Sequence, residues 1–201
     1  MGVSVLIMGE SGTGKSCSLR NFAENEISLI NVASKPLPFR KKFEYMAKLE
    51  DAKEIIEMMK TAPTKTIVID DSQYIMGFAE MHRRNEKGYQ KFTDIGGNYF
   101  DIVDEIRKLP DDVIVYLLTH TETTSEGITK AKTSGQMLDK KITLEGLFTI
   151  VLRTEVRDGK YLFRTQNNGM DTVKSPMGMF ASETIENDLK AVDAIIRQYY
   201  A

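Results

Sequence analysis

Gly9-Glu10-Ser11-Gly12-Thr13-Gly14-Lys15-Ser16 sets a lysine and a hydroxyl directly after a glycine-rich turn, in the spacing G-x-x-x-x-G-K-[ST]. Such a turn lets consecutive backbone N–H groups converge on a phosphate, and a helix opening at its end adds partial positive charge. The chemistry implied is nucleoside-triphosphate binding, with Lys15 reaching the β- and γ-phosphates and Ser16 giving its hydroxyl to Mg²⁺. Cys17 continues this binding segment and otherwise serves as a small filler on the helix. A second element, Thr66-Ile-Val-Ile-Asp70-Asp71, delivers two carboxylates at the end of a β-branched run. Asp70 is expected to hold magnesium through a water, and Asp71 to polarise the attacking water. The same pair would also suit a helix N-terminus.

These groups meet only if strands and helices alternate to carry them, and the apolar pattern does alternate, which predicts an α/β fold with a mainly parallel sheet. Residues 3–8 read as a strand feeding the glycine-rich turn, and Leu19, Phe22 and Ala23 give a helical spacing after it. Residues 27–32 read as a strand, followed by Pro36 and Pro38 in an extended connection. Ala52, Ile55, Ile56 and Met59 mark one face of a helix over 51–60. A helix is predicted from 72 to about 87, and Gly96-Gly97 interrupts the next segment before Tyr99, Ile102, Val103 and Ile106 resume the helical period. Residues 113–118 form the next buried strand, ending in Thr119-His120. From 121 to 141 the period vanishes, which predicts a long mobile loop. Asp158-Gly159 predicts a β-hairpin over 147–165, and Ile185, Leu189, Val192 and Ile196 a closing helix over 183–200.

At 201 residues the chain suits one domain spanning 1–201, and its 41% hydrophobic and 28% charged residues suffice for a sizeable core. Lys+Arg number 27 against 29 Asp+Glu, a net charge of −2. This excludes a protein coated in positive charge, so any nucleic-acid contact needs a local patch. No apolar run approaches the roughly 18–20 residues of a membrane span, and no membrane partner is expected. One cysteine makes no internal disulfide, and a cytoplasmic setting is expected.

The loop 9–16, the Ile69-Asp70-Asp71-Ser72-Gln73-Tyr74 segment, the strand ending in Thr119-His120 and the run Asn168-Gly169-Met-Asp171-Thr-Val-Lys174-Ser-Pro176-Met-Gly178-Met-Phe180 together resemble the phage AAA-type ATP-binding proteins. These are similar to the compact RecA-like ATPases that accompany single-strand annealing recombination. The likeness spans nearly the whole chain. It implies ATP and Mg²⁺ as cofactors and a single RecA-like P-loop NTPase domain. In that fold, residues 113–118 would lie between the P-loop strand and the Asp70 strand. It implies that His120 is a polar sensor near the γ-phosphate. It also implies a DNA-binding loop over 121–141, with Lys130, Lys132, Lys140 and Lys141, and between Lys130 and Lys141 these stand against one acid, Asp139. Such proteins work as homo-oligomers, rings or filaments, in which a basic residue from the neighbouring subunit completes the site; Arg164 and Lys174 are the candidates. One departure matters. The family pattern has a catalytic glutamate near the end of the strand after the P-loop helix, whereas this chain has Ala33-Ser34-Lys35 there. Either Asp71 takes over, or hydrolysis is slow; Glu10 is a third acid in reach.

The leading expectation is a Mg²⁺-ATP-dependent ATPase that binds single-stranded DNA and assists phage recombination or replication. The alternative is a nucleotide-gated module with little turnover that loads or regulates a phage annealing or single-strand-binding protein. A small-molecule P-loop kinase fits less well, because its phosphate-closing lid normally carries arginine and residues 121–141 have none.

Overall fold

Parallel strands covered by helices on both faces read as near-continuous apolar runs, and β1 (Val3–Gly9), β2 (Ile27–Asn31) and β4 (Thr66–Asp70) are of that kind in the computed structural model, which describes residues 1–134, 138 and 142–201. Alternation along the strands sorts their side chains into two cores. Leu6, Met8, Ile67, Ile69, Val115 and Leu117 pack against α1 (Ala52–Thr61), α2 (Gln73–His82) and α3 (Gln90–Ile106). Val5, Ile7, Val68, Tyr116 and Leu118 pack on the other face against Leu19 and the Val192 and Ile196 stripe of α4 (Leu189–Tyr200).

The remaining strands are β3 (Tyr45–Ala47), β5 (Ile114–Thr123), β6 (Thr129–Ala131), β7 (Ile150–Arg157), β8 (Lys160–Arg164) and β9 (Thr184–Glu186). Their order across the sheet is β3-β2-β4-β5-β1-β7-β8-β9, with β6 paired to β5. The run from β3 to β7 is parallel, while β8 and β9 continue it antiparallel. The fold is therefore α/β with a mostly parallel sheet flanked by helices. The strand expected to separate β1 from β4 does so: β5 pairs with both, and its register sets Gly9 opposite His120 and Ile69 opposite Leu117. Gly9, Asp70 and His120 thus emerge at one edge of the sheet. Among the described residues, no helix is long and apolar enough to cross a membrane.

Several elements differ from the sequence reading. The chain leaves the glycine-rich turn as a 3-10 helix, Ser16–Asn21, in place of the expected longer helix. Lys41 Nζ takes up the carbonyls of Arg20 and Phe22, and Phe22 turns extended to enter the core. α2 stops at His82, and α3 runs straight through Gly96-Gly97. Two helical glycines cost about 1 kcal/mol each, and the continuous burial of Ile95, Tyr99, Ile102 and Ile106 outweighs them. Within the segment expected as a mobile loop, residues 121–131 hold strand: β5 extends to Thr123 and folds back as β6, pairing Thr121 with Ala131 and Thr123 with Thr129. The hairpin lies at the expected turn, with Asp158 at φ 52° and Gly159 at φ 73°. The closing helix starts only at Leu189, capped by Asp188, because residues 184–186 are spent on β9.

Candidate functional site

β1 delivers Gly9 to the sheet edge, and only glycine fits there. A Cβ would sit 1.8 Å from Thr154 Oγ1 of β7 and 2.9 Å from Thr13 Oγ1. Thr13 in turn donates to the Glu10 carbonyl at 2.7 Å and meets Thr154 Oγ1 at 2.6 Å, so it is a strut tying the loop to β7. Gly14 adopts φ 100°, a conformation side chains rarely take, beneath the Tyr161 ring. Glu10, Ser11 and Gly12 form the exposed crest of the loop.

Lys15 is folded back along this loop, buried, its Nζ donating to the Gly9 carbonyl at 2.9 Å and the Glu10 carbonyl at 2.8 Å. Burial lowers its pKa, opposed by the carboxylates of Asp71 and Asp70. Ser16 Oγ donates to Asp70 Oδ1 at 3.0 Å, across the width of β5. Burial and the neighbouring Asp71 charge push Asp70 up to about 6, partly offset by the Ser16 hydroxyl and Lys15. This hydroxyl and carboxylate form a hard oxygen pair that fits Mg²⁺, which binds through one or two protein oxygens and completes its shell with phosphate and water. Among the described residues no three His, Cys, Asp or Glu side chains gather into a metal cage, so any ion held here would need those further ligands.

Asp71 stands at φ 60°, unusual for a residue with a side chain, and this turns its carboxylate back across the sheet edge. Oδ1 lies 3.5 Å from His120 Nε2, and Oδ2 accepts from Lys35 Nζ at 3.1 Å. Burial would raise its pKa, but His120 and Lys35 together hold it below the usual carboxylate range. His120 is fixed from behind by its backbone N–H, which donates to Gln73 Oε1 at 3.1 Å, and its ring lies edge-on to Tyr74. Lys35 is the residue the sequence reading passed over, noted there only as a missing acid. Its ammonium lies 4.9 Å from the centre of the Tyr74 ring. The available signal was its place after β2, the strand adjoining β4.

The other expected residues divide. Arg164 is held within its own chain, only 11% of its side chain exposed, paired with Glu155 at 3.0 Å and near Asp171 at 3.8 Å. Lys174 is exposed, its backbone bridged to Val151 of β7. Lys130 pairs with Glu122 across the β5–β6 hairpin at 3.2 Å, while Lys132 is exposed. Lys140 and Lys141 lie outside the described residues. Ser134 bonds Glu80 of α2, which brings the segment after β6 beside the last turns of α2. The α2–α3 connection carries exposed Arg84, Lys87 and Tyr89, which the sequence reading did not single out.

Cys17 is half-buried in the wall of a cleft of about 680 Å³, shared with Arg20, Tyr161, Leu162 and Ile185. It lies where the chain leaves the loop and is large enough for a nucleoside. A larger cleft, about 870 Å³, opens at the opposite edge of the sheet between Val3, Ile114 and Tyr200, away from these groups. A scan against models of known protein families finds no match, and no curated protein matches the chain.

Proposed function

We propose that this chain is a Mg²⁺-ATP-binding P-loop ATPase of RecA-like build that works on single-stranded DNA in phage recombination or replication. One observation carries the nucleotide part: Lys15 folded onto its own loop carbonyls beside a Ser16–Asp70 hydroxyl–carboxylate pair, the two strands being separated by β5. On binding, Lys15 exchanges the Gly9 and Glu10 carbonyls for phosphate oxygens, and the loop N–H groups take the remainder. Ser16 and Asp70 hold the ion, which supplies neutralising charge to the phosphate oxygens. The cleft beside Cys17 receives the base and ribose. Asp71, with its depressed pKa, orients the attacking water through a carboxylate that stays charged, and His120 senses the terminal phosphate. Lys174, exposed, suits a role at a neighbouring subunit's site better than the enclosed Arg164. The DNA part rests on exposed Lys132 and on exposed Arg84, Lys87 and Tyr89 of the connection after α2, the helix that Ser134 bonds through Glu80, with the tyrosine ring available for stacking.

The full chain should bind MgATP, and Lys15→Ala should remove most of that affinity; unchanged binding by the variant would sink the loop assignment. A second reading, a nucleotide-gated module that loads an annealing or single-strand-binding protein, is favoured by Lys35 standing where the family pattern has an acid. Phosphate release measured with and without single-stranded DNA separates the two. Strong stimulation supports the ATPase, and nucleotide binding with negligible turnover in both conditions supports the gate.

A further inference from the structure

We propose that Lys35 is a ligand for the terminal phosphate of the bound nucleoside triphosphate, kept in place by Asp71 until that phosphate arrives. The inference rests on the nucleotide reading above and adds a residue to it. The turn after β2 is shaped to present this side chain. Ser34 takes φ 55°, and the buried Asn31 amide donates to the Lys35 carbonyl at 2.6 Å. Asp71 opposite takes φ 60°, so two residues with side chains occupy left-handed backbone on either side of one ion pair. Strained backbone of this kind persists where surrounding structure enforces it, commonly at ligand clamps.

The register supports the reach. Asn31 pairs with Asp70, so the ends of β2 and β4 lie side by side, and Asp70 is itself bonded to Ser16 of the loop. Lys35 and Lys15 are near enough to repel each other across this space. Two cations thus face this space, with Asp71 bonded to Lys35 and acting on Lys15 as well, and a multiply charged phosphoryl group would engage both lysines. The lysine is also free to move, because 59% of its side chain is exposed and ion pairs of that kind hold weakly. Tyr74 offers its ring to the ammonium beside Asp71, and Asp71 keeps His120 as a neighbour when Lys35 leaves. In this arrangement the lysine distinguishes triphosphate from diphosphate, since only the former carries the third phosphate.

Calorimetric titration of the full chain with MgATP and with MgADP tests this. Lys35→Ala should weaken MgATP about tenfold, as expected for one charge-assisted hydrogen bond, and leave MgADP within about twofold. Lys35→Arg should keep most of the preference. Equal losses for both nucleotides, or no loss for either, would overturn the assignment. Should the wild-type chain bind neither nucleotide, the loop assignment itself fails; should it bind both while Lys35→Ala keeps the wild-type ratio, only the role of Lys35 fails. Acylation of the unmutated protein gives a check independent of folding. MgATP should protect Lys35 where MgADP does not, and identical labelling under the two nucleotides counts against the proposal.

Discussion

The buried carboxylate of Asp70 carries a cost in the folded chain. Its carboxyl is pushed up to about 6 in the folded chain against 3.8 ordinarily, so between those values the folded state binds the proton more tightly than the unfolded chain does. Stability contributed by this group therefore falls as pH rises from about 4 to 6, leaving a penalty of about 3 kcal/mol at neutral pH. Asp70→Asn keeps an acceptor for Ser16 while removing the buried charge. Without metal, it should raise stability at pH 7.5 by about 2 kcal/mol and lose that advantage near pH 4, as read by urea unfolding at both values. An unstabilised variant at pH 7.5 would show that the charge is compensated in the folded chain. In the proposed role such a penalty would be offset by magnesium, the ion rather than the fold neutralising the carboxylate. Gly9 to Ser16 and Asp70 were legible in the sequence because each stands at the end of its own local apolar run, although Ser16 and Asp70 meet across 54 residues. Lys35 was not, because its partnership with Asp71 depends on β2 and β4 lying side by side, 36 residues apart in the chain.

A buried carboxylate of α4 ties it to the sheet, beside Arg197, which donates to the carbonyls of Asp112 and Lys65. Asp193 Oδ1 accepts from Thr66 Oγ1 at 3.1 Å and from the Tyr116 hydroxyl at 2.9 Å, while Oδ2 accepts from Arg197 Nε at 2.7 Å. Burial and the Asp193 charge raise the Tyr116 pKa well above its ordinary value, so the hydroxyl stays a donor. Asp193→Ala would leave that hydroxyl buried and unpaired, and should cost about 2–4 kcal/mol in urea unfolding. Tyr116→Phe removes only one of the three donors and should cost about 1 kcal/mol. If both variants lose the same amount, the carboxylate is not the fastening point. The strands of the two cores were readable because their apolar residues alternate or run continuously, as in Thr66–Asp70. β6 and β9 were not, because Thr129-Lys130-Ala131 and Thr184-Ile185-Glu186 show no apolar run. Each forms by pairing with a neighbour already in place, and that neighbour is invisible to a local pattern. The helix through Gly96-Gly97 was misread for the opposite reason, since local propensity was given more weight than the buried stripe that overrides it.

For the molecule as a whole, a net charge of −2 means that a DNA strand is not attracted to the surface in general, so affinity depends on where the cations gather. Lys130 is opposed by Glu122, and Arg83 is taken up by Glu86 and Asp94. Among the described residues of these two segments, which meet through Ser134 and Glu80, Lys132, Arg84 and Lys87 are exposed, and so is Tyr89, at 89%. Two kinds of variant should then part company in a titration with an oligothymidylate at several salt concentrations. Lys132→Gln and Arg84→Gln each remove a phosphate contact, so each should lower the slope of log affinity against log salt by about 0.7. Tyr89→Ala removes a stacking surface and should weaken binding by about 1–3 kcal/mol while leaving the slope unchanged. A slope that survives both charge substitutions would move the DNA site elsewhere. A Tyr89→Ala variant that binds as the wild type does would reduce the contact to phosphate alone. With only the contacts that these described residues would supply, tight binding would need several copies along one strand. The affinity should accordingly rise steeply once the oligonucleotide is long enough for two.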